Sequence, residues 1–295
     1  MADVVVTGGS GFVGSRTVAA LRNAGHNVTE VGRRSGSDVQ FYRTDFELGK
    51  MPWFGDATVI HCAADTRDGW SEEIEEANIR LTQAALELSD GHFIHLSSAA
   101  VYNMSEPSVN TKTEDASFFY PFLNSYGPSK LAAEGLITGL RRNAAILRPH
   151  AVYGAGDASF APTLRRLGRF GVLPLPNGGH AVHQFTWVGN LVHAILCAVD
   201  AALPGVNTFN ITDPEAITVR EAALSALGPH RVLNIPVDAA LAVSAITSKL
   251  PLKAQLSYYS LLQFGHDRTF DIEPATELLG YRPTADGLAR SFPSR

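Results

Sequence analysis

The segment TGGSGFVGS, residues 7–15, constrains the fold of this chain more than any other. It follows the β-branched run DVVV and precedes RTVAALRNAG, whose apolar residues recur at helical spacing. Glycines permit a tight turn and close backbone approach, and the helix N-terminus offers free N–H groups to a pyrophosphate. We therefore predict a dinucleotide-binding turn, the alternative being a glycine-rich turn without a ligand. The residues predicted to contact the dinucleotide are Gly8, Gly11, Phe12, Val13 and Gly14.

Short strand-like runs alternate with helical patterns through the first half of the chain. The predicted strands cover 4–6, 27–31, 39–42, 58–62, 92–96 and 144–147, and the predicted helices include 13–23, 74–88 and 129–140. This alternation implies parallel pairing, because a parallel crossover needs room for a helix. We predict an α/β fold: a Rossmann-type doubly wound parallel sheet with a smaller C-terminal substrate lobe.

The domain organisation follows from where this pattern loosens. Residues 1–157 are expected to form the Rossmann domain, and residues 185–212 to return to it. Residues 158–295 are expected to form the smaller substrate-binding lobe.

Composition excludes several classes of function. The chain has 295 residues, a net charge of −5 and no basic run longer than two residues, so we expect no nucleic-acid partner. Its two cysteines are too few for a disulfide framework. His180 and His183 lie three apart without a carboxylate or cysteine cluster, so no metal site is predicted. We expect neither a leader nor a membrane-spanning stretch, and hence a cytoplasmic protein without a membrane partner.

The end of the second strand bears on cofactor choice. An acidic residue there would bind a ribose 2′-hydroxyl, but NVTEV is followed by Gly32, Arg33 and Arg34. Guanidinium groups suit a 2′-phosphate, so NADP(H) is predicted over NAD(H), with NAD(H) possible. Glu30 is the competing acidic residue, but it lies inside the strand, where its side chain need not reach the ribose. The alternative for the two arginines is a solvated surface pair.

A second group of residues carries the chemistry. In SYGPSK, Tyr126 and Lys130 are four apart at the start of a helix and share one face. A neighbouring ammonium lowers the pKa of a phenol, as a tyrosine acid/base requires. Ser97 and Ser98 end the apolar run FIHL at the carboxyl edge of the sheet, where ligands of such sheets bind. A strand cap is the alternative role for the serines.

The chain resembles the extended short-chain dehydrogenase/reductases, which include nucleotide-sugar epimerases and hydroxysteroid dehydrogenases. The segments TGGSGFVG, VIHCAA, HLSSAAVY, SYGPSK, LRPHAVYGAGD and FDIEPATELLGYRP occur in the family's order. The resemblance implies that Tyr126 is the acid/base, that Lys130 lowers its pKa and binds the nicotinamide ribose, and that Ser98 orients the substrate oxygen. It also implies cofactor contacts at Asp45, Ala63, Ala64, Pro149 and His150, with a structural role for Asn78.

Departures from the family's patterns reduce the number of activities that we expect for this chain. Ala99 and Ala100 stand where 4,6-dehydratases carry an acidic pair, and Gly32 stands where epimerases carry an aspartate. FTWVGNLVHAI, residues 185–195, is more similar to the 3β-hydroxysteroid dehydrogenase branch. We therefore expect an NADP(H)-dependent oxidoreductase acting on a carbonyl or secondary alcohol of a small molecule. A nucleotide-sugar epimerase retaining NAD and a non-catalytic NADP(H) sensor remain alternatives.

The resemblance also suggests where partners bind. Family members commonly dimerise through the helices at 74–88 and 129–140, so a homodimer is expected. The substrate is expected to contact segments around His150, Tyr153 and residues 184–187.

Overall fold

Seven parallel strands form the central sheet of the computed structural model, which describes residues 1–33, 41–67, 69–141, 143–157, 160–168, 170–237 and 258–292. The sheet contains β1 (Asp3–Thr7), β2 (Asn27–Gly32), β3 (Phe41–Arg43), β4 (Thr58–His61), β5 (Phe93–Leu96), β7 (Asn143–Pro149) and β12 (Gly205–Ile211). The strand order is β12-β7-β5-β4-β1-β2-β3, and every pair is parallel. The order reverses beside β1, which is where a doubly wound sheet opens a crevice for a ligand.

Helices cover both faces of this sheet. On one face α1 (Phe12–Asn23) and α5 (Val188–Ala201) pack on Val4 and Val6. On the other, α2 (Glu72–Leu86) and α3 (Tyr126–Leu140) pack on Val5. Successive residues of β1 therefore point into opposite cores, as the alternation of a strand requires. Burial of each such apolar side chain contributes about 1.5–3 kcal/mol, so both layers stabilise the sheet.

The smaller lobe contains the remaining strands. Its sheet has the order β13-β10-β15-β6, formed by β6 (Ser108–Thr111), β10 (Val182–His183), β13 (Ile217–Thr218) and β15 (Arg268–Phe270). Two further pairs are β8 (Val152–Tyr153) with β11 (Thr186–Trp187), and β9 (Val172–Pro176) with β14 (Arg231–Ile235). The helices of this part are α4 (Phe160–Leu167), α6 (Val219–Leu227), α7 (Tyr258–Gly265), α8 (Glu273–Leu278) and α9 (Gly287–Ser291).

The chain crosses between the two units more often than the sequence suggests. β12 forms the edge of the central sheet, whereas β6, inside the segment 1–157, pairs with β15 of the smaller sheet. Ala275 and Tyr281, from the C-terminal segment, are fully buried in the core beside α5. The boundary between the two units stays a prediction.

The elements agree closely with the sequence pattern, and the Rossmann-type α/β fold is confirmed. The helix predicted at 129–140 begins earlier, at Tyr126, and the one at 74–88 covers Glu72–Leu86. Positions 39 and 40 of one predicted strand lie outside the described residues. Within the described ranges, no helix combines the length and apolar character that crossing a membrane requires.

Candidate active site

The glycine turn joins β1 to α1 in a form that leaves no room for side chains. The N–H of Gly11 donates to the carbonyl of Gly8 at 2.9 Å. Gly8 has φ +70°, and a Cβ there would stand 2.7 Å from the amide nitrogen of Ala63. A Cβ on Gly14 would clash with the Gly8 carbonyl. Gly11 caps α1 without a side-chain hydrogen bond, so the first N–H groups of the helix can receive an anion.

This cradle fits the pyrophosphate of a dinucleotide. Ala63 and Ala64 leave the carboxyl end of β4 beside the turn, and Ala63 N donates to Thr7 Oγ1 at 3.4 Å. Phe12 and Val13 open α1, where the guanidinium of Arg16 lies 4.5 Å above the Phe12 ring. The predicted pyrophosphate contacts therefore lie together at the carboxyl edge of the sheet.

Glu30 reaches the glycine turn, which the sequence analysis did not expect. Its buried carboxylate accepts from Arg22 Nη2 at 3.1 Å. The other carboxylate oxygen lies 2.5 Å from the position that a Cβ of Gly9 would take. Glu30 thus supports the underside of the turn and pairs with a cation of α1.

The residues predicted at the adenosine end lie around the ends of β2 and β3. Arg33 is exposed, and Asp45 is exposed next to Thr44, whose N–H donates to the Gly32 carbonyl at 3.0 Å. Asp65 accepts from the guanidinium of Arg67, which lowers the carboxyl pKa, and the charge of Arg33 lowers it further. Arg34 lies outside the described residues.

The predicted catalytic residues converge at the carboxyl end of β5. The hydroxyl of Ser98 lies close enough to the phenol of Tyr126 to lower its pKa. The ammonium of Lys130 lies 5.8 Å from the centre of the Tyr126 ring, on the same face of α3. Ser98 Oγ also accepts from Ala100 N at 3.1 Å, so its hydroxyl is held by the short helical turn that follows β5.

Burial sets the protonation of both ionisable groups. It raises the pKa of Tyr126 to about 12, against the lowering effect of the Ser98 hydroxyl. Burial also lowers the pKa of Lys130 to about 8. Lys130 Nζ donates to the Leu96 carbonyl at 2.7 Å instead of contacting the phenol. At neutral pH the site therefore presents a protonated phenol beside a largely protonated ammonium.

Asn78 connects the loop after β4 to α3 through hydrogen bonds. Its side-chain amide donates to Ser129 Oγ and to the Asp65 carbonyl, both at 3.0 Å. Ser129 in turn donates to the Tyr126 carbonyl at 2.8 Å. Asn78 thus connects α2 with the first turn of α3.

Pro149 ends β7, and His150 follows it with a side chain directed into the smaller lobe. His150 Nε2 lies 3.0 Å from His183 Nδ1, and its ring packs on Phe270. Burial lowers the pKa of both histidines, so both are neutral at physiological pH. Tyr153, another expected substrate contact, is almost fully buried and donates to Asp213 at 2.8 Å.

A buried ion pair beneath the catalytic residues was not predicted. Glu134, one turn beyond Lys130 on α3, accepts two hydrogen bonds from Arg148 of β7, at 2.8 and 2.5 Å. The spacing from Tyr126 to Lys130 to Glu134 repeats every four residues, and Arg148 interrupts the apolar strand AAILRP. Both signals are visible in the sequence, because a charge inside a buried strand requires a partner.

No group of three His, Cys, Asp or Glu side chains in the described part of the chain is arranged to bind a metal ion. His183 instead pairs with His150, and His180 is exposed.

Comparison with known proteins identifies the family. A relative from Mus musculus, sterol-4-alpha-carboxylate 3-dehydrogenase (decarboxylating), is 27% identical over 94% of this chain and 86% of its own length. The 2-alkyl-3-oxoalkanoate reductase of Stenotrophomonas maltophilia is 25% identical over 97% of both chains. The structure of MoeE5 in complex with UDP-glucose and NAD shares the fold, with a TM-score of 0.73 and 24% identity over 98% of this chain and 97% of that one. The model of the NAD dependent epimerase/dehydratase family matches residues 4–212, and the chain belongs to this family.

Proposed function

We propose that this protein is an NADP(H)-dependent oxidoreductase that interconverts a carbonyl and a secondary alcohol, with Tyr126 as the general acid/base. The close approach of the Ser98 hydroxyl to the Tyr126 phenol, with the Lys130 ammonium 5.8 Å from the centre of the same ring, carries this proposal. Ala63 and Cys62 connect this group to the glycine turn: Ala63 lies against Gly8, and the adjoining Cys62 lies near Lys130. The proposed site thus combines a dinucleotide cradle with a proton donor.

The dinucleotide would lie on Gly8, Gly11 and Gly14, with its pyrophosphate at the N-terminus of α1. Asp45, Ala63 and Ala64 would flank the adenosine half, and Lys130, Pro149 and His150 the nicotinamide half. When bound, the nicotinamide supplies or accepts the hydride.

The protein's own part in the reaction is the movement of a proton. In the direction of reduction, Ser98 donates a hydrogen bond to the substrate carbonyl oxygen and Tyr126 protonates it. The phenol, whose pKa is about 12, is fully protonated at neutral pH and ready for this role. The Lys130 ammonium stabilises the phenolate as the proton leaves.

The preference for NADP(H) rests on Arg33 and Arg34. Arg33 is exposed immediately beyond β2, where its guanidinium has the geometry to bind a 2′-phosphate. The last residue of β2 is Gly32, not an aspartate or glutamate. Glu30 is buried against Gly9 and paired with Arg22, so it leaves the ribose position free.

The names of two relatives suggest a substrate class. The sterol-4-alpha-carboxylate 3-dehydrogenase and the 2-alkyl-3-oxoalkanoate reductase both act beside a carboxylate, which is attached to the carbon next to the reacting one. We propose that 2-substituted 3-oxo or 3-hydroxy carboxylates are the substrates of this chain.

Cofactor titration with product analysis tests the proposal. The purified protein is analysed for retained nucleotide, titrated with NADPH and NADH, and supplied with a panel of 2-alkyl-3-oxo acids. We expect nucleotide-free protein, a preference of about tenfold or more for NADPH, and formation of the 3-hydroxy acid. Replacing Arg33 and Arg34 by alanine should weaken the binding of NADPH far more than the binding of NADH.

Three other outcomes contradict this account in different ways. If replacing the two arginines weakens the binding of NADPH and NADH equally, the arginines do not explain a preference for NADPH. Retained NAD with interconversion of nucleotide sugars identifies an epimerase. Tight NADPH binding without turnover of any carbonyl identifies a sensor.

A further inference from the structure

We propose that Glu134 is a positioning residue of the Tyr126 site, which ties the third turn of the catalytic helix to β5 through Ser97 and to the smaller lobe through Arg148. The inference rests on the proposed function, because it concerns the same catalytic group. It assigns a role to an ion pair that the proton transfer itself does not use.

The link to β5 is direct. Ser97, buried at the end of that strand, donates its hydroxyl to Glu134 Oε1. Ser98 is the next residue, and Lys130, one turn before Glu134, donates to the carbonyl of Leu96. Strand and helix are therefore joined at Leu96 and Ser97, the two residues that precede Ser98.

The link to the smaller lobe runs through four hydrogen-bonded side chains. Arg148 donates two hydrogen bonds to Glu134, and its Nη1 donates a third to the hydroxyl of Tyr102 at 3.0 Å. Tyr102 donates to Asn210 Oδ1 at 2.5 Å, and Asn210 Nδ2 donates to the Thr111 carbonyl at 2.8 Å. Thr111 ends β6, which belongs to the smaller sheet. A displacement of Glu134 would therefore also shift the proton donor Tyr126 and the lobe expected to cover the substrate.

Glu134 also contributes a charge to the site. Burial lowers the pKa of Lys130, and Cys62 and, to a smaller extent, the Glu134 carboxylate raise it. Among the described residues, the other titratable groups that interact with or lie beside Lys130 are His61, Cys62, His95 and Tyr126. Burial keeps both histidines neutral, and it raises the pKa of Cys62 to about 12 and that of Tyr126 to about 12. Glu134 is therefore the anion that helps Lys130 keep its proton near pH 8.

The test separates positioning from folding. Glu134→Gln alone leaves the Arg148 cation buried without its partner, which destabilises the fold. The double variant Glu134→Gln with Arg148→Met removes both charges and is expected to fold. Glu221→Gln, in an exposed helix cap of α6, is the matched control and should keep kcat within about twofold of wild type.

Two readouts decide the outcome. In the folded double variant we expect kcat to fall by about tenfold or more, and the alkaline limb of its pH profile to move down by about half a pH unit or more. An NMR titration of 13Cε-labelled lysine, feasible with five lysines in the chain and assigned with Lys130→Arg, should show the same fall in the pKa of Lys130. A purely structural role would lower stability without moving either pH midpoint.

Other results would overturn the proposed role of Glu134 or the proposed function. A folded double variant with wild-type kcat and an unmoved Lys130 pKa overturns the proposal. If the double variant does not fold, the Ser97→Ala variant tests the proposal instead. A wild-type kcat in Ser97→Ala would show that the hydrogen bond from Ser97 to Glu134 does not position the site. If wild type reduces no carbonyl, the proposed function fails, while the NMR titration still tests Glu134.

Discussion

The side chain of Ser98, two residues beyond β5, lies close to the phenol of Tyr126, the first residue of α3, and lowers its pKa against the effect of burial. The contact depends on the short helical turn that holds Ser98. In the proposed function the hydroxyl and the phenol bind the same substrate oxygen.

Gly14→Ala should abolish dinucleotide binding. Its Cβ would enter the space of the Gly8 carbonyl, a backbone atom that moves only if the turn opens. We expect NADPH affinity to fall by about 100-fold or more, measured by fluorescence titration. Gly135→Ala is the matched control: a Cβ there meets open space on an exposed turn of α3. It should keep the affinity and raise the free energy of unfolding by about 0.5–1 kcal/mol. Wild-type affinity in Gly14→Ala would contradict the assignment of the turn.

The rate of carbonyl reduction should fall as pH rises through about 8. Lys130, with a pKa of about 8, loses its proton there, whereas Tyr126, at about 12, stays protonated. The neutral amine no longer stabilises the forming phenolate. Lys130→Arg keeps its charge at higher pH, so its alkaline limb should lie about one pH unit or more above that of wild type. Coinciding limbs in the two proteins would exclude Lys130 as the titrating group.

His95→Leu should make stability less sensitive to acid. His95 is fully buried, and neither ring nitrogen has a hydrogen-bond partner within the described ranges. Burial holds its pKa well below the usual 6.5, so below pH 6.5 the unfolded chain takes up a proton that the folded chain does not. Stability is therefore lost as pH falls below 6.5, by about 1.4 kcal/mol per pH unit for each such histidine.

Urea unfolding at several values between pH 7 and pH 5 measures this slope. His95→Leu should reduce it by about one proton and should be at least as stable as wild type at pH 7, since an unpartnered polar ring is removed. His180→Leu, which removes a histidine at an exposed position, is the control. An unchanged slope in His95→Leu would refute this reasoning.

The sequence predicts the fold well because its strongest signals are local. The glycines of residues 7–15 and the apolar strands fix the sheet, and the spacing of Tyr126 and Lys130 fixes their common face. What it missed depends on distant contacts. β6, the four residues SVNT, has no apolar alternation, and its pairing with β15 depends on tertiary structure. The partner of Glu134 lies on another element, and only the sheet brings Arg148 to it.

Glu30 shows a further limit of sequence reasoning. A carboxylate in a strand can face solvent, a ligand or a cation, and the strand pattern alone does not distinguish these environments. The structure buries it between the glycine turn and Arg22 of α1. Its contribution is to the shape of the cradle and not to the strand tip where the ribose is expected.

Turnover by Tyr126→Phe tests the central claim most directly. Wild type and the variant are compared for NADPH oxidation by a 2-alkyl-3-oxo acid, with NADPH affinity measured on the same samples. Loss of the phenolic proton should lower kcat by about 100-fold or more, while the dissociation constant of NADPH stays within about threefold. A variant that retains wild-type turnover would contradict the assignment of Tyr126 as the proton donor.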